Sequence, residues 1–372
     1  MAHNKIGRAT ELSNTLSVEQ PMLRGSEIST FKRCPWRWYH YWVLGLTPKV
    51  EKKDALWVGT GVHLAMAEYY VPGVKRGRHP RETWEEYCED TTARMRVEKL
   101  VDDDFESGVE DVKQVIGEVL DEYVIHHGGD PSWEVLAPEQ RFTVNIPRFK
   151  YRAETEMYKG KWVPDSHVLC RFTGTYDLPI RDLTDGQIKI VDHKTAKQIV
   201  TYHLTMDAQA SGYCAVGTHT LRELGLIGAK EVVSGMIYNF IRKGKIDARP
   251  KNEQGLSLNL NGTVSKKQPT PLFQRIFIAR NAIERNNQGI RSSRDAERIL
   301  AARASAERPG GTDNLLKVFQ RDCYYCPFYD LCELDESGGD TGYFIENVYK
   351  TVDPYADHQE GAENSKIGVT KG

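Results

Sequence analysis

Two aspartates and a lysine, Asp177, Asp192 and Lys194, stand at a spacing that chemistry can use. They fall within Phe172 to Lys194, FTGTYDLPIRDLTDGQIKIVDHK. β-Branched and aromatic runs at Phe172 to Ile180 and Gln187 to Thr195 predict two strands, and Asp182, Thr184, Asp185 and Gly186 predict the turn between them. Alternation then puts Ile188, Ile190, Asp192 and Lys194 on one face of the second strand, and pairing brings Asp177 within a few side-chain lengths of Asp192. Two carboxylates so placed repel unless a cation lies between them, and a hard divalent ion takes oxygen ligands of this kind; the set suits magnesium and manganese alike. A lysine beside such an ion orients a water or holds charge developing on a phosphate. An isolated Asp-x-Lys is more often an exposed hairpin with solvated charges, so its neighbours must decide.

The other chemical signal is Cys323 to Cys332, CYYCPFYDLC, a C-x2-C-x5-C array. Seven unevenly spaced cysteines argue for metal ligation or buried thiols rather than a disulfide framework. A four-thiolate site needs one more ligand, and Cys34 is the candidate from the far end of the chain. Zinc and an iron–sulfur cluster are both allowed: generic spacing favours zinc slightly, whereas so distant a fourth ligand is unusual for a local zinc finger. Cys88, Cys170 and Cys214 read as buried free thiols.

The elements that must position these groups follow from length and pattern. With 372 residues, 40% hydrophobic and 27% charged, the chain has ordinary globular composition and ample length for a core. Its net charge of -2 gives no global basic signal, so any nucleic-acid contact must come from local patches. No apolar run approaches the roughly 18 residues of a membrane helix, and no signal-peptide pattern opens the sequence, so a cytoplasmic protein without membrane contact is expected. Residues 1–25 and 354–372 read as disordered flanks of one domain spanning 26–353.

Within that domain Ser26 or Ser29 is placed to cap a short helix before an aromatic-rich stretch, Trp36 to Trp42, with Arg33 and Arg37 beside it. Such rings and cations suit a single-stranded nucleic-acid path, as they also suit an ordinary core helix. Trp57 to Tyr70 reads as a helix opened by Gly59 and Gly61 and carrying His63, a residue that is usually structural when alone. Lys75 to Arg81, KRGRHPR, is a basic loop. A helical part over 57–130 gives way, after Gly128 and Gly129, to a core over 136–245. Glu139 to Ile146 and Glu231 to Arg242 are strand candidates, and Pro147 to Cys170 is an excursion. Tyr202 to Thr218 reads as a helix with Gln209 and Tyr213 one turn apart. Residues 250–271 read as a mobile loop, 273–307 as helix, and 273–335 as the helical and cysteine part.

As an ordered set, Cys34-Pro35, Gly59-Thr60 with His63, Gly174 with Asp177, Asp192-His193-Lys194, Gln209 with Tyr213, and Cys323, Cys326 and Cys332 resembles the RecB-like branch of the PD-(D/E)XK nucleases. It is most similar to members with a C-terminal iron–sulfur cysteine cluster, such as the AddB nuclease domain and CRISPR-associated or phage-encoded exonucleases. The resemblance covers residues 26 to about 335. It implies an α/β, restriction-endonuclease-like core, a central mixed sheet flanked by helices, with helical insertions and an iron–sulfur region joining the chain's two ends. It further implies that His63, Asp177 and Asp192, with the backbone carbonyl of His193, hold Mg2+ or Mn2+, and that Lys194 assists the attacking water. Gln209 and Tyr213 would support the site and the DNA, and Cys34, Cys323, Cys326 and Cys332 would hold a [4Fe–4S] cluster in place of zinc. Two departures stand out. The third motif is Asp-His-Lys where many relatives have Glu-x-Lys, and the chain is longer, with the extra length expected in 71–135, 147–170 and 250–310.

The activity so implied is metal-dependent hydrolysis of a DNA phosphodiester, by an exonuclease of recombination, repair or phage replication acting on DNA that is single-stranded or has a free end. Arg33, Arg37 and Trp38 are the candidate DNA contacts. There is no G-x4-G-K-[ST] phosphate loop, so any unwinding would come from a helicase or recombinase partner. The alternatives are a structure-selective endonuclease, the nuclease subunit of a helicase complex, or a catalytically silent DNA-binding scaffold. The intact Asp177, Asp192 and Lys194 weigh against the last.

Overall fold

The computed structural model describes residues 20–49, 56–97, 103–153 and 160–356. Its centre is a mixed five-stranded sheet. In chain order the strands are β1 (Met22–Arg24), β2 (Leu46–Pro48), β3 (Trp133–Val135), β4 (Gln140–Arg152), β5 (Lys161–Tyr176), β6 (Leu178–Asp182), β7 (Gln187–Ala196), β8 (Val233–Arg242), β9 (Phe273–Ala279) and β10 (Tyr349–Thr351). The central sheet has the order β3-β6-β7-β8-β9, and only β7 and β8 run parallel in it. A parallel pair needs a crossover, which a helix supplies here. β8 is buried along nearly its whole length and reads as a near-continuous apolar run, whereas β7 is buried from Ile188 to His193 with Lys189, Asp192 and His193 inside that run.

The helices are α1 (Gly25–Arg33), α2 (Pro35–Trp38), α3 (Leu56–Tyr69), α4 (Pro80–Val97), α5 (Asp103–His127), α6 (Ala208–Glu223), α7 (Ala282–Ala306), α8 (Tyr329–Glu336) and α9 (Thr341–Val348). One face of the sheet, with Leu178, Ile180, Val191, Ile237 and Ile241, packs on α3, α4 and α5 through Val62, Met66, Trp84 and Leu120. The other face, with Ile188, Ile190, Met236 and Tyr238, packs on α6 and α7 through Cys214, Leu221 and Ile299. The expected α/β architecture is therefore present, a mixed sheet between helical layers. Gly61 makes the α3–α4 contact possible: a Cβ there would sit 2.6 Å from the Trp84 ring.

A second sheet, β1-β5-β4, lies beside the first. The single strand expected over Phe172 to Ile180 is two strands, because the chain leaves this sheet at Tyr176 and enters the central one at Leu178. The hairpin β6–β7 itself has the expected partners. Residues 147–170, expected as an excursion, are mostly strand: β4 pairs with β5 as far as Arg152↔Lys161, with register shifts around Pro147. Proline cannot donate to a ladder, and the pairing absorbs it as an irregularity.

Other expectations also need correction. Met22–Arg24 is a strand parallel to β5 rather than part of a disordered flank, with Leu23 fully buried. The N-cap of α1 is Arg24, without a side-chain cap, so neither Ser26 nor Ser29 caps it. Residues 273–279 form β9 instead of opening a helix, since edge pairing to β8 outweighs the helical reading. The loop over 250–271 closes on itself: Asp247 accepts from Arg249 and Ser257, and the Gln268 amide bonds both partners of Ser257's peptide. Short polar side chains bonding their own backbone give such a segment structure without a core. In the C-terminal flank Tyr355 packs against Trp42; residues 1–19 and 357–372 lie outside the described residues. Among the described residues no helix is long and apolar enough to cross a membrane.

The N- and C-terminal segments are tied together. β2 pairs antiparallel with β10, and Trp36 and Leu46 share a small core with Phe328, Leu331 and Tyr349. Buried Glu27 accepts from Trp38 Nε1 at 2.9 Å, from Arg303 at 3.0 Å and from Tyr355.

Candidate active site

Asp177 occupies the one-residue break between β5 and β6. Its Oδ2 accepts from the His193 backbone N–H at 2.8 Å, and its carbonyl accepts from the Glu139 N–H at 2.8 Å. The sheet switch thus presents the carboxylate at a seam where both neighbours hold it by backbone bonds. From α3, His63 Nδ1 comes within 3.2 Å of Asp177 Oδ2 and 3.8 Å of Glu139 Oε1. His63, Glu139 and Asp177 each offer a ligand atom within 4.8 Å of the others, a spread that a metal ion can span. Glu139 was no candidate from the sequence. It is the residue before β4, a non-glycine at φ 46°, and an acid at the foot of a strand aimed at the hairpin was the only available signal.

Asp192 and Lys194 share one face of β7, as alternation requires. Asp192 is 2% exposed; its Oδ1 accepts from Gln209 Nε2 at 2.7 Å. Lys194 Nζ lies 2.7 Å from Oδ2 as an ion pair, and that oxygen is sealed from solvent. Lys194 also donates to Gln209 Oε1 at 3.0 Å. Gln209 sits in the first turn of α6, whose N-cap Asp207 accepts from the Gln209 N–H. Gly217 lets α6 approach the sheet, since a Cβ there would be 3.0 Å from Ile190 Cδ1. One turn on, Tyr213 donates to the Thr175 carbonyl at 3.0 Å and meets Tyr176 edge-on.

The electrostatics call for a cation. Burial pushes the Asp192 carboxyl up to about 6 against the pull of Lys194, and burial also raises Asp177, with Glu139 adding to it. Burial alone would lower His63, but Asp177 and Glu139 outweigh it and push the imidazole up to about 9. Two desolvated carboxylates beside each other, with His63 and Glu139 within reach of Asp177, are what a hard divalent ion satisfies, so the residues present fit Mg2+ or Mn2+. The site opens into a groove of about 1150 Å³ that runs past Gln209, Tyr213, Arg141 and Lys243 to Ser29 and Lys32 of α1.

The structure thus brings His63, Asp177, Asp192, Lys194, Gln209 and Tyr213 together. The His193 ring lies on the other side of β7 from Asp192 and Lys194, where it bonds Asn239 through Nδ1 at 2.8 Å, stacks on Tyr70 and meets the His63 ring edge-on. Any ligand from His193 must come from its backbone. Trp38 is also misplaced as a DNA contact: it is fully buried and its Nε1 is spent on Glu27, so no base can stack on it. Trp36 and Trp42 are buried as well, and the stretch is core. Arg33 pairs with Asp322 at 3.7 Å and, with Arg37, lines the cysteine cavity, not the groove. In the basic loop, Arg76 donates to carbonyls of Gly129, Asp130 and Trp133, while Arg78 and Arg81 pair with helix carboxylates.

Cys34, Cys323, Cys326 and Cys332 are all unpaired and line one cavity of about 250 Å³. Among the described residues no three of these sulfurs lie within 4.8 Å of one another. Cys88, Cys170 and Cys214 are buried free thiols in the core, each pushed up to about 12 by burial.

The family model for the PD-(D/E)XK nuclease superfamily matches residues 25–333. No curated protein matches the chain.

Proposed function

The chain belongs to the PD-(D/E)XK nuclease superfamily, which makes it a metal-dependent nuclease acting on DNA, and we propose that it is an exonuclease that hydrolyses phosphodiesters from a DNA end. The observation that carries the proposal is the environment of Asp192: a sealed carboxylate, desolvated and shared by Lys194 and Gln209, beside a second carboxylate at Asp177. The exonuclease reading rests on the ordered motif set, which resembles single-domain RecB-like exonucleases.

Asp177, Asp192, Glu139 and His63, with the His193 carbonyl, would hold Mg2+ or Mn2+, which supplies polarisation of the phosphate and offsets charge on the leaving oxygen. Lys194 orients the attacking water and balances the charge of Asp192. Gln209 fixes both groups, and Tyr213 anchors α6 to β5 so that the amide stays in place. The four cysteines around the second cavity would hold a [4Fe–4S] cluster whose role is structural, because phosphodiester hydrolysis transfers no electrons. Recombination, repair or phage DNA metabolism in the cytoplasm, alongside a helicase or recombinase, is the setting proposed for a single nuclease domain of this kind.

The test compares end-labelled linear DNA with a closed circle of the same sequence, with magnesium or manganese, for the wild type and Asp192→Ala. Loss of label from the linear form, with the circle spared and the variant inert, is the expected result. Equal cutting of the circle would replace the exonuclease reading with an endonuclease, and binding without cutting would leave only a scaffold.

A further inference from the structure

The register of the central sheet sets three polar residues abreast, His193 of β7 beside Asn239 of β8, and Asn239 beside Arg275 of β9. They fall on the face that α3, α4 and α5 cover, because Val191 and Ile237, two residues before His193 and Asn239, belong to it. That face is otherwise apolar. An imidazole, an amide and a guanidinium inside it need partners, and each has them.

Arginine only donates, so the contact from Arg275 Nε at 3.0 Å marks Asn239 Oδ1 as the acceptor. Asn239 Nδ2 then donates to the Tyr123 hydroxyl at 2.8 Å and to His193 Nδ1 at 2.8 Å. His193 Nδ1 is therefore an acceptor, and the ring proton sits on Nε2. The Tyr123 oxygen takes hydrogens from Asn239 and, at 2.8 Å, from Arg275, so it gives its own to Tyr70, which gives its own to Asp130. Asp130 closes the circuit on the Arg275 guanidinium.

Asn239, Tyr70 and Tyr123 are fully buried and His193 nearly so. Apolar side chains of similar volume are often as stabilising as a buried ionic network, so stability alone gives little reason for this one. What the circuit fixes is His193. The peptide N–H of His193 holds Asp177 Oδ2 at 2.8 Å, and its ring stacks on Tyr70 and meets the His63 ring edge-on, with centroids 6.1 Å apart. Asp177 and His63 are two of the three residues whose ligand atoms converge.

We infer that Asn239 is a positioning residue for the divalent ion: by holding the His193 ring in one tautomer and one orientation, it sets the His193 peptide and the His63 ring, and with them Asp177, where the ion needs them. Asn239 touches neither ion nor substrate and acts through His193. Groups that orient ligands from behind in this way are worth about 10–100-fold in metal affinity. The inference rests on the metal site of the nuclease reading and adds to it a residue of β8.

The test uses the full chain and reads manganese binding directly, from the electron paramagnetic resonance signal of the free ion, with Tm taken without metal. Asn239→Leu keeps the volume and removes the amide, and Asn239→Ser keeps a hydroxyl that falls short of the His193 ring. Both should raise the manganese Kd at least about tenfold. Glu27→Ala, which breaks the buried pair with Arg303, should lower Tm as far or further and leave the Kd at the wild-type value. An unchanged Kd in the Asn239 variants, or a Kd that rises in Glu27→Ala in step with its loss of Tm, overturns the positioning role and makes the row structural. Should Asn239→Leu fail to fold, Asn239→Ser alone decides. Manganese binding that survives Asp192→Ala lies elsewhere and overturns the inference as well. The nuclease reading fails separately: a wild type that binds manganese and cuts no DNA sinks that reading and leaves the role of Asn239 standing, whereas a wild type that binds none removes both.

Discussion

Gln209 donates from Nε2 to Asp192 Oδ1 across 2.7 Å, from the first turn of α6 to the middle of β7. The other end of the same amide accepts from Lys194, so one side chain aligns the carboxylate and the ammonium at once. Gln209→Leu should therefore lower kcat by about 10–100-fold, the usual cost of losing a group that orients ligands, with little change in KM or Tm. Single-turnover cleavage of linear DNA reads the effect, and a loss confined to KM would show that Gln209 binds substrate instead.

Glu139 tests the ion's ligand set. It lies with Asp177 and His63 inside a 4.8 Å spread. If it is a ligand, Glu139→Gln should raise the manganese concentration for half-maximal cleavage by at least about tenfold while the rate at saturating manganese recovers much of the wild-type value. A rate that stays low at saturation with unchanged metal dependence would make Glu139 a part of the substrate path.

The candidate site was legible where chemistry follows local periodicity. Asp192 and Lys194 share a face because strands alternate, and Gln209 and Tyr213 share one because helices turn every 3.6 residues. What was missed depended on the third dimension. Glu139 becomes a neighbour of His63 only because β5 leaves one sheet for another at Asp177, and a strand run from Phe172 to Ile180 carries no mark of that switch. Trp38 went wrong for a related reason: an aromatic reads the same whether it faces solvent or Glu27, and only packing of α1 against α7 closes that pocket. The β4–β5 arm reads as an excursion because Pro147 interrupts its pattern, although the ladder resumes beyond it.

The cysteine cavity makes an analytical prediction. Protein purified without oxygen should carry about four iron and four acid-labile sulfide per chain, with a broad absorbance near 400 nm. Cys34→Ser should lose both and lower Tm, because Cys34 would be the proposed cluster's ligand from the N-terminal side, next to the core that Trp36 shares with Phe328. One zinc per chain and no iron would overturn the cluster.

Glu27 makes the last prediction, on stability. It is fully buried and joins α1 to Trp38, Arg303 and Tyr355, so Glu27→Ala leaves a buried guanidinium unpaired and should cost about 3–5 kcal/mol, roughly 6–10 °C in Tm. Burial raises its carboxyl above the ordinary 4.5 despite the three donors and the Arg303 charge. A raised folded-state value means the folded chain holds the proton more tightly than the unfolded one. That contribution is complete below the unfolded value and is lost as pH rises through the folded value. The Tm gap between wild type and Glu27→Ala should therefore narrow as pH is taken from 4.5 upward to 8. A gap that widens over that range would mean that Arg303 and Tyr355 hold the charged form more strongly than burial opposes it.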